Sequence, residues 1–150
     1  MMKSSSKTAD VGLIQGFRSG LEGVTAEYLR QHGVAFEYET TRLPYTKPSK
    51  VHRYTPDFLL PNGIIVETKG RFMTADRQKM ILIKKQHPDL DIRFVFSRSS
   101  TKINKGSKTT YAMWCRKNGY VFADGLPPTE WLNEAPNAAS LAALKALQNG

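Results

Sequence analysis

The chain has one cysteine, Cys115, which excludes an intrachain disulfide and a multi-cysteine zinc site. Flanked by Met113 and Trp114 in a helical stretch, it reads as a small buried hydrophobe rather than a nucleophile. Long apolar runs are missing too, and none approaches the length of a membrane span. The opening Met-Met-Lys-Ser-Ser-Ser-Lys lacks the apolar stretch of a secretion signal, so an intracellular protein is expected. His32, His52 and His87 show no ligand spacing and read as surface residues. Acids are scarce, 13 against 22 Lys and Arg, for a formal net charge of +9. For a chain so basic, phosphate is the expected partner.

What is present fits one ordinary core and one domain: 150 residues with 40% hydrophobic content. Residues 1–16 read as a loosely held basic segment. Ser19-Gly-Leu-Glu22 matches a helix capping box, with Leu21, Val24, Tyr28 and Leu29 as its apolar stripe and Gly33 as its stop. Alternation from Val34 to Thr41 predicts a strand. Residues 42–52, with Pro44, Pro48 and several bases, read as a stiff extended connector. A second helix is expected over 75–86 with Thr74 as its cap, and a buried strand over Ile92–Ser97. A helix from about Thr109 to Asn118, a short strand Tyr120–Ala123 and a short helix from Thr129 follow. The Ala-rich tail, 138–148, predicts a marginal helix that needs a surface to pack on. This order points to a mixed α/β domain with a central sheet.

The most informative segment is Pro56-Asp57 followed, ten residues after the Asp, by Glu67-Thr68-Lys69. Phe58-Leu59-Leu60 and Ile64-Ile65-Val66 flank a Pro-Asn-Gly turn and predict a β-hairpin. A two-residue turn would send Asp57 and Glu67 to opposite faces. A three-residue loop, Pro61-Asn62-Gly63, pairs 57 with 67, 59 with 65 and 60 with 64. Asp57, Glu67 and Lys69 then share one face, and Phe58, Leu60, Ile64 and Val66 form an apolar opposite face. The three-residue loop is the expectation. Two carboxylates with the Thr68 carbonyl suit Mg²⁺, leaving positions for water and a phosphate oxygen, and Lys69 is placed to orient that water. The alternative is a plain Glu67–Lys69 ion pair between strands. Glu22 also has two readings: it closes the capping box, or it points across the sheet to the metal.

The bases cluster in Lys3, Lys7 and Arg18, in the stretch holding Lys47, Lys50 and His52, and in the Gly/Ser/Thr-rich loop carrying Arg98, Lys102, Lys105 and Lys108. Hydroxyls, amides and ammonium groups together suit phosphate contacts along DNA. No base-reading module is recognisable, so recognition by shape and backbone charge is expected.

Phe17-Arg-Ser-Gly-Leu-Glu22, Tyr54-Thr-Pro-Asp-Phe-Leu-Leu-Pro-Asn-Gly63, Val66-Glu-Thr-Lys-Gly70, Gln86-His-Pro and Leu90-Asp-Ile-Arg93 resemble the endonuclease I family of T-odd bacteriophages. These are four-way (Holliday) junction resolvases of the Pro-Asp…Asp/Glu-x-Lys nuclease superfamily. The likeness runs over about residues 16–132 in unbroken order. It implies a restriction-endonuclease-like fold over 17–132, followed by the tail 133–150. It also implies Mg²⁺-dependent nicking of two strands across a branch, with Mn²⁺ substituting and Ca²⁺ supporting binding without cleavage. The resemblance assigns Asp57, Glu67 and the Thr68 carbonyl to the metal, Lys69 to the attacking water and Glu22 to a second metal position. It implies an intertwined, domain-swapped homodimer in which Glu22 of one chain completes the other's site, working in the cytoplasm of an infected bacterium. No small-molecule cofactor and no membrane are expected. Two other readings are a sequence-specific or transposon-type endonuclease subunit and a non-catalytic basic DNA-binding protein. The family's tail is basic, whereas Lys145 is the single base beyond Trp131 here.

Overall fold

In the computed structural model, residues 19–47 and 50–148 are described. The expectation for residues 1–16, and the bases Lys3, Lys7 and Arg18, fall outside them. Helix α1 is Gly20–Gln31, with Ser19 Oγ accepting the Glu22 N–H at 3.1 Å and Gly33 at φ +66° beyond its end. Its buried side is Glu22, Gly23, Thr25, Ala26 and Leu29, whereas Leu21, Val24 and Tyr28 of the expected stripe are half-buried. The buried face is thus turned toward Gly23 and Ala26 and shares only Leu29 with the expected stripe.

The predicted strand over 34–41 is reduced to β1, Glu37–Tyr38. Glu39, at φ +52°, takes a left-handed conformation and ends the extended run. The connector expected over 42–52 is instead a ribbon: β2 (Leu43–Lys47) pairs antiparallel with β3 (Lys50–Tyr54), from Leu43 opposite Tyr54 to Lys47 opposite Lys50. The hairpin that follows, β4 (Phe58–Leu59) and β5 (Ile64–Lys69), has the register of the three-residue loop, Phe58 opposite Val66 and Leu59 opposite Ile65. Gly63, at φ +90°, supplies the left-handed turn position, and the Leu60 N–H reaches Ile64 O at 2.9 Å.

Helix α2 is Thr74–Gln86. Its first turn is capped by Asp76, whose carboxylate accepts the Met73 N–H at 3.1 Å, and not by Thr74, whose hydroxyl accepts from Arg77. β6 (Asp91–Phe96), α3 (Tyr111–Asn118), β7 (Val121–Asp124), the short α4 (Thr129–Leu132) and α5 (Ala138–Gln148) complete the described chain. The main sheet runs β1-β4-β5-β6-β7, antiparallel on the β1 side and parallel from β5 to β7. It is therefore mixed and central.

Both faces of β5 are buried, as its unbroken apolar run requires. Phe58, Leu60, Ile64 and Val66 pack with Ala26 and Leu29 of α1 and with Trp131. Ile65 lies on the other side with Phe72, Met80, Ile83, Phe94, Phe96, Trp114 and Cys115. Each large side chain buried there contributes about 1.5–3 kcal/mol of apolar transfer energy. Burial pushes the Cys115 thiol up to about 12, so it stays protonated and unreactive at neutral pH.

The tail helix finds its packing surface on the hairpin turn. Ser140 Oγ donates to Gly63 O at 2.7 Å and accepts the Asp91 N–H at 3.1 Å, and Leu144 is buried in the larger core. Among the described residues, no helix is long and apolar enough to cross a membrane.

Candidate active site

Asp57 lies one residue before the first paired position of β4, and Glu67 lies inside β5. The two interlock rather than simply facing one another. The Asp57 N–H and the Tyr54 hydroxyl both donate to Glu67 Oε1, each at 3.1 Å. Asp57 Oδ2 in turn accepts the Thr68 N–H at 2.9 Å and the Thr68 hydroxyl at 2.7 Å. One oxygen of each carboxylate thus takes two protein donors, Glu67 Oε1 and Asp57 Oδ2, and neither pair of donors engages Glu67 Oε2 or Asp57 Oδ1. Lys69 Nζ is 4.0 Å from Glu67 Oε2 and 3.5 Å from Asp76 Oδ1. The alternative of an ion pair is therefore realised loosely, with the ammonium shared between Glu67 and a helix acid.

Glu22 arrives from α1 on the opposite side of the sheet. The Ser19 half of the capping box forms, Ser19 Oγ accepting the Glu22 N–H, while the Glu22 carboxylate accepts the Tyr38 hydroxyl at 2.9 Å and lies near Asp57, as the second reading expected. Glu22, Glu39 and Asp57 can each offer an oxygen within 4.8 Å of the others. Glu67 is not one of that trio, so the acids form two groups hinged on Asp57.

Sequence reasoning missed Glu39. Strand alternation put it on a solvent face, but the left-handed turn at Glu39 breaks the period of two, and its N–H reaches Asp57 O at 3.3 Å. It also missed Tyr38, Tyr54, Asp76 and Lys79. Lys79 Nζ stands 5.4 Å from the centre of the Tyr54 ring.

The electrostatics follow from this crowding. Burial, followed by the Glu67 charge, raises the Asp57 carboxyl from 3.8 to about 7 against the two Thr68 hydrogen bonds. Burial raises Glu67, opposed by Lys69, the Asp57 N–H, Lys79 and the Tyr54 hydroxyl. Burial and then the Asp57 charge raise Glu22. Three acids pushed toward protonation mark a place short of positive charge, and a cation restores them to carboxylates. The donors are hard oxygens with no sulfur or imidazole among them, which fits Mg²⁺, Mn²⁺ or Ca²⁺ rather than a softer metal.

The expected phosphate contacts are spread more widely. Lys47 and Lys50 face each other across the exposed end of the ribbon. Arg98, Lys102, Lys105 and Lys108 are exposed on a loop closed by a bridge between Lys102 and Thr110. Of the three histidines, His32 is exposed, and His52 and His87 are half-buried. His52 Nε2 is buried, and His87 Nε2 contacts Pro44 O at 2.5 Å. A groove of about 550 Å³ between α5 and β1–β4 is lined by none of Glu22, Asp57 and Glu67. A narrow cavity is not what a DNA backbone requires, and the acids rather than the groove locate the chemistry.

The chain is 54% identical over 121 residues to Endonuclease I of Escherichia phage T7, covering 81% of each protein. It is 52% identical over 120 residues to Endodeoxyribonuclease 1 of Enterobacteria phage T3, covering 80% of this chain and 79% of that one. The family model for phage endonuclease I matches residues 1–150. A mixed α/β domain with interlocked acids beside a lysine, matched to these relatives over most of its length, belongs to the phage endonuclease I family.

Proposed function

We propose that this chain is a structure-selective, Mg²⁺-dependent DNA endonuclease that resolves four-way junctions and other branched DNA by nicking two strands across the branch. The observation that carries the proposal is the Asp57–Glu67 interlock, in which one oxygen of each acid is fixed by protein donors and the second oxygen of Glu67 is left beside Lys69. Endonuclease names in the T7 and T3 relatives and a formal charge of +9 support DNA as the substrate.

Asp57, Glu67 and the Thr68 carbonyl would hold the first cation, and Glu22 with Asp57 a second. A bound Mg²⁺ supplies Lewis-acid polarisation of the phosphoryl group and acidifies a coordinated water. Lys69, steadied by Asp76, would orient the attacking water. Thr68 keeps the Asp57 carboxylate from rotating away. Lys47, Lys50, His52, Arg98, Lys102, Lys105 and Lys108 bind backbone phosphates without reading bases.

Two active sites are needed to nick two strands, and a homodimer supplies them. In a single chain, Glu22 already meets its own Asp57. A domain-swapped dimer of restriction-endonuclease-like subunits would make the same contact between protomers, with the β2–β3 ribbon as the crossing segment. Such an enzyme acts in the cytoplasm of the infected bacterium.

The test is cleavage of a fixed four-way junction beside a linear duplex of the same arms, with Mg²⁺, with Ca²⁺ and without metal. Symmetric nicks in the junction under Mg²⁺ alone are expected. Equal cutting of the linear duplex at one preferred site would favour a sequence-specific endonuclease, and binding without nicking under any metal would leave a basic binding protein.

A further inference from the structure

Tyr54 is an unusual neighbour for a carboxylate. Its side chain is 1% exposed, and its hydroxyl donates to Glu67 Oε1 at 3.1 Å. The same oxygen takes the Asp57 N–H, so Oε1 has two donors and Oε2 is turned toward Lys69. A carboxylate in a strand has a broad, roughly two-fold terminal torsion, and either oxygen can present itself. A donor locked in the core removes that freedom. The Tyr54 ring is itself locked by packing within the larger core. Lys79 Nζ lies 5.4 Å from its ring centre, where a cation interacts favourably with the ring face and polarises the phenol toward stronger donation.

We infer that Tyr54 is a positioning residue of the cation site: its buried hydroxyl fixes which oxygen of Glu67 is presented to the metal, and Lys79 reinforces that hydrogen bond from the ring face. The inference rests on the proposed metal site and deepens it. Tyr54 touches neither substrate nor metal and acts through Glu67. Outer hydrogen-bond partners of this kind are worth about 10–100-fold in metal affinity or activity.

The experiment is a calorimetric Ca²⁺ titration of full-length wild type, Asp57→Asn, Tyr54→Phe, Lys79→Met and the variant combining the last two, paired with the Mg²⁺ concentration that half-saturates junction nicking. Wild-type binding that Asp57→Asn abolishes establishes the site. Tyr54→Phe keeps the ring and its packing, and is expected to weaken Ca²⁺ binding about tenfold and raise the Mg²⁺ half-saturation in parallel. The rate at saturating Mg²⁺ should recover to within about threefold of wild type, and metal-free junction binding should be unchanged. Lys79→Met, at a half-buried helix position, also removes a charge that acts directly on Glu67, so the second readout is the cycle: Tyr54→Phe is expected to weaken Ca²⁺ binding by a smaller factor in the Lys79→Met background than in wild type. Unchanged Ca²⁺ affinity in Tyr54→Phe beside a binding wild type would overturn the role of Tyr54 alone. A wild type that binds no Ca²⁺ would overturn the metal site, and the inference with it.

Discussion

Asp57 concentrates the cost of building this site. Its carboxyl stands at about 7 in the folded chain against an ordinary 3.8. Between those values the folded state holds a proton that the unfolded chain has released. This contribution to metal-free stability is therefore full below about pH 4 and is lost as pH rises through about 7. Glu22 and Glu67 are raised as well and act in the same direction. Asp57→Asn is expected to melt above wild type near pH 8 in the presence of a chelator, with the gap closing near pH 4. For a chain of this size, about 1 kcal/mol moves the melting temperature by about 2–4 °C. Thermal scans across pH read this directly, and an Asn variant that melts lower near pH 8 would mean that the carboxylate is net stabilised by its donors.

Among the elements, the β4–β5 hairpin was legible because its turn chemistry left two registers and only one of them puts four apolar side chains on a single face. The ribbon was not legible, because Pro44 and Pro48 argued against strands. The reason lies in its outer edge. Gln86 pairs its side-chain amide with both the N–H and the O of Thr46, and His87 meets Pro44 O. Thr46 and, two residues earlier, Pro44 therefore present that outer edge, where the missing proline N–H removes no ladder bond. The Gln86-His-Pro motif thus docks the ribbon as well as ending α2. Acids brought together by α1 and by a left-handed residue at Glu39 were beyond any reading of periodicity, whereas Asp57 and Glu67, joined by one hairpin, were within it. At the hairpin turn, a Cβ on Gly63 would lie 3.0 Å from Leu141 Cγ and 3.2 Å from Asn137 O in a left-handed conformation. Gly63→Ala is expected to cost about 1–3 kcal/mol, read as a lower urea midpoint. An unchanged midpoint would show that α5 is not docked on the turn.

For the whole molecule, the proposal assigns encounter with DNA to the basic surface and the chemistry to the acid pair. Replacing Lys102, Lys105 and Lys108 together with Gln is expected to weaken junction binding and to reduce the salt slope by about 1 for each phosphate that the loop no longer neutralises. A slope equal to wild type would remove that loop from the interface. On the proposed function the acids make a separable contribution, since Asp57 and Glu67 would offer a phosphate no attraction without a cation. The most direct test is single-turnover nicking of a fixed four-way junction by Glu67→Gln in Mg²⁺, at matched occupancy with wild type. Junction binding within about threefold of wild type is expected, with nicking slower by about 10³-fold or more. Nicking at a near-wild-type rate would contradict the account and return Glu67 and Lys69 to the role of an ion pair between strands.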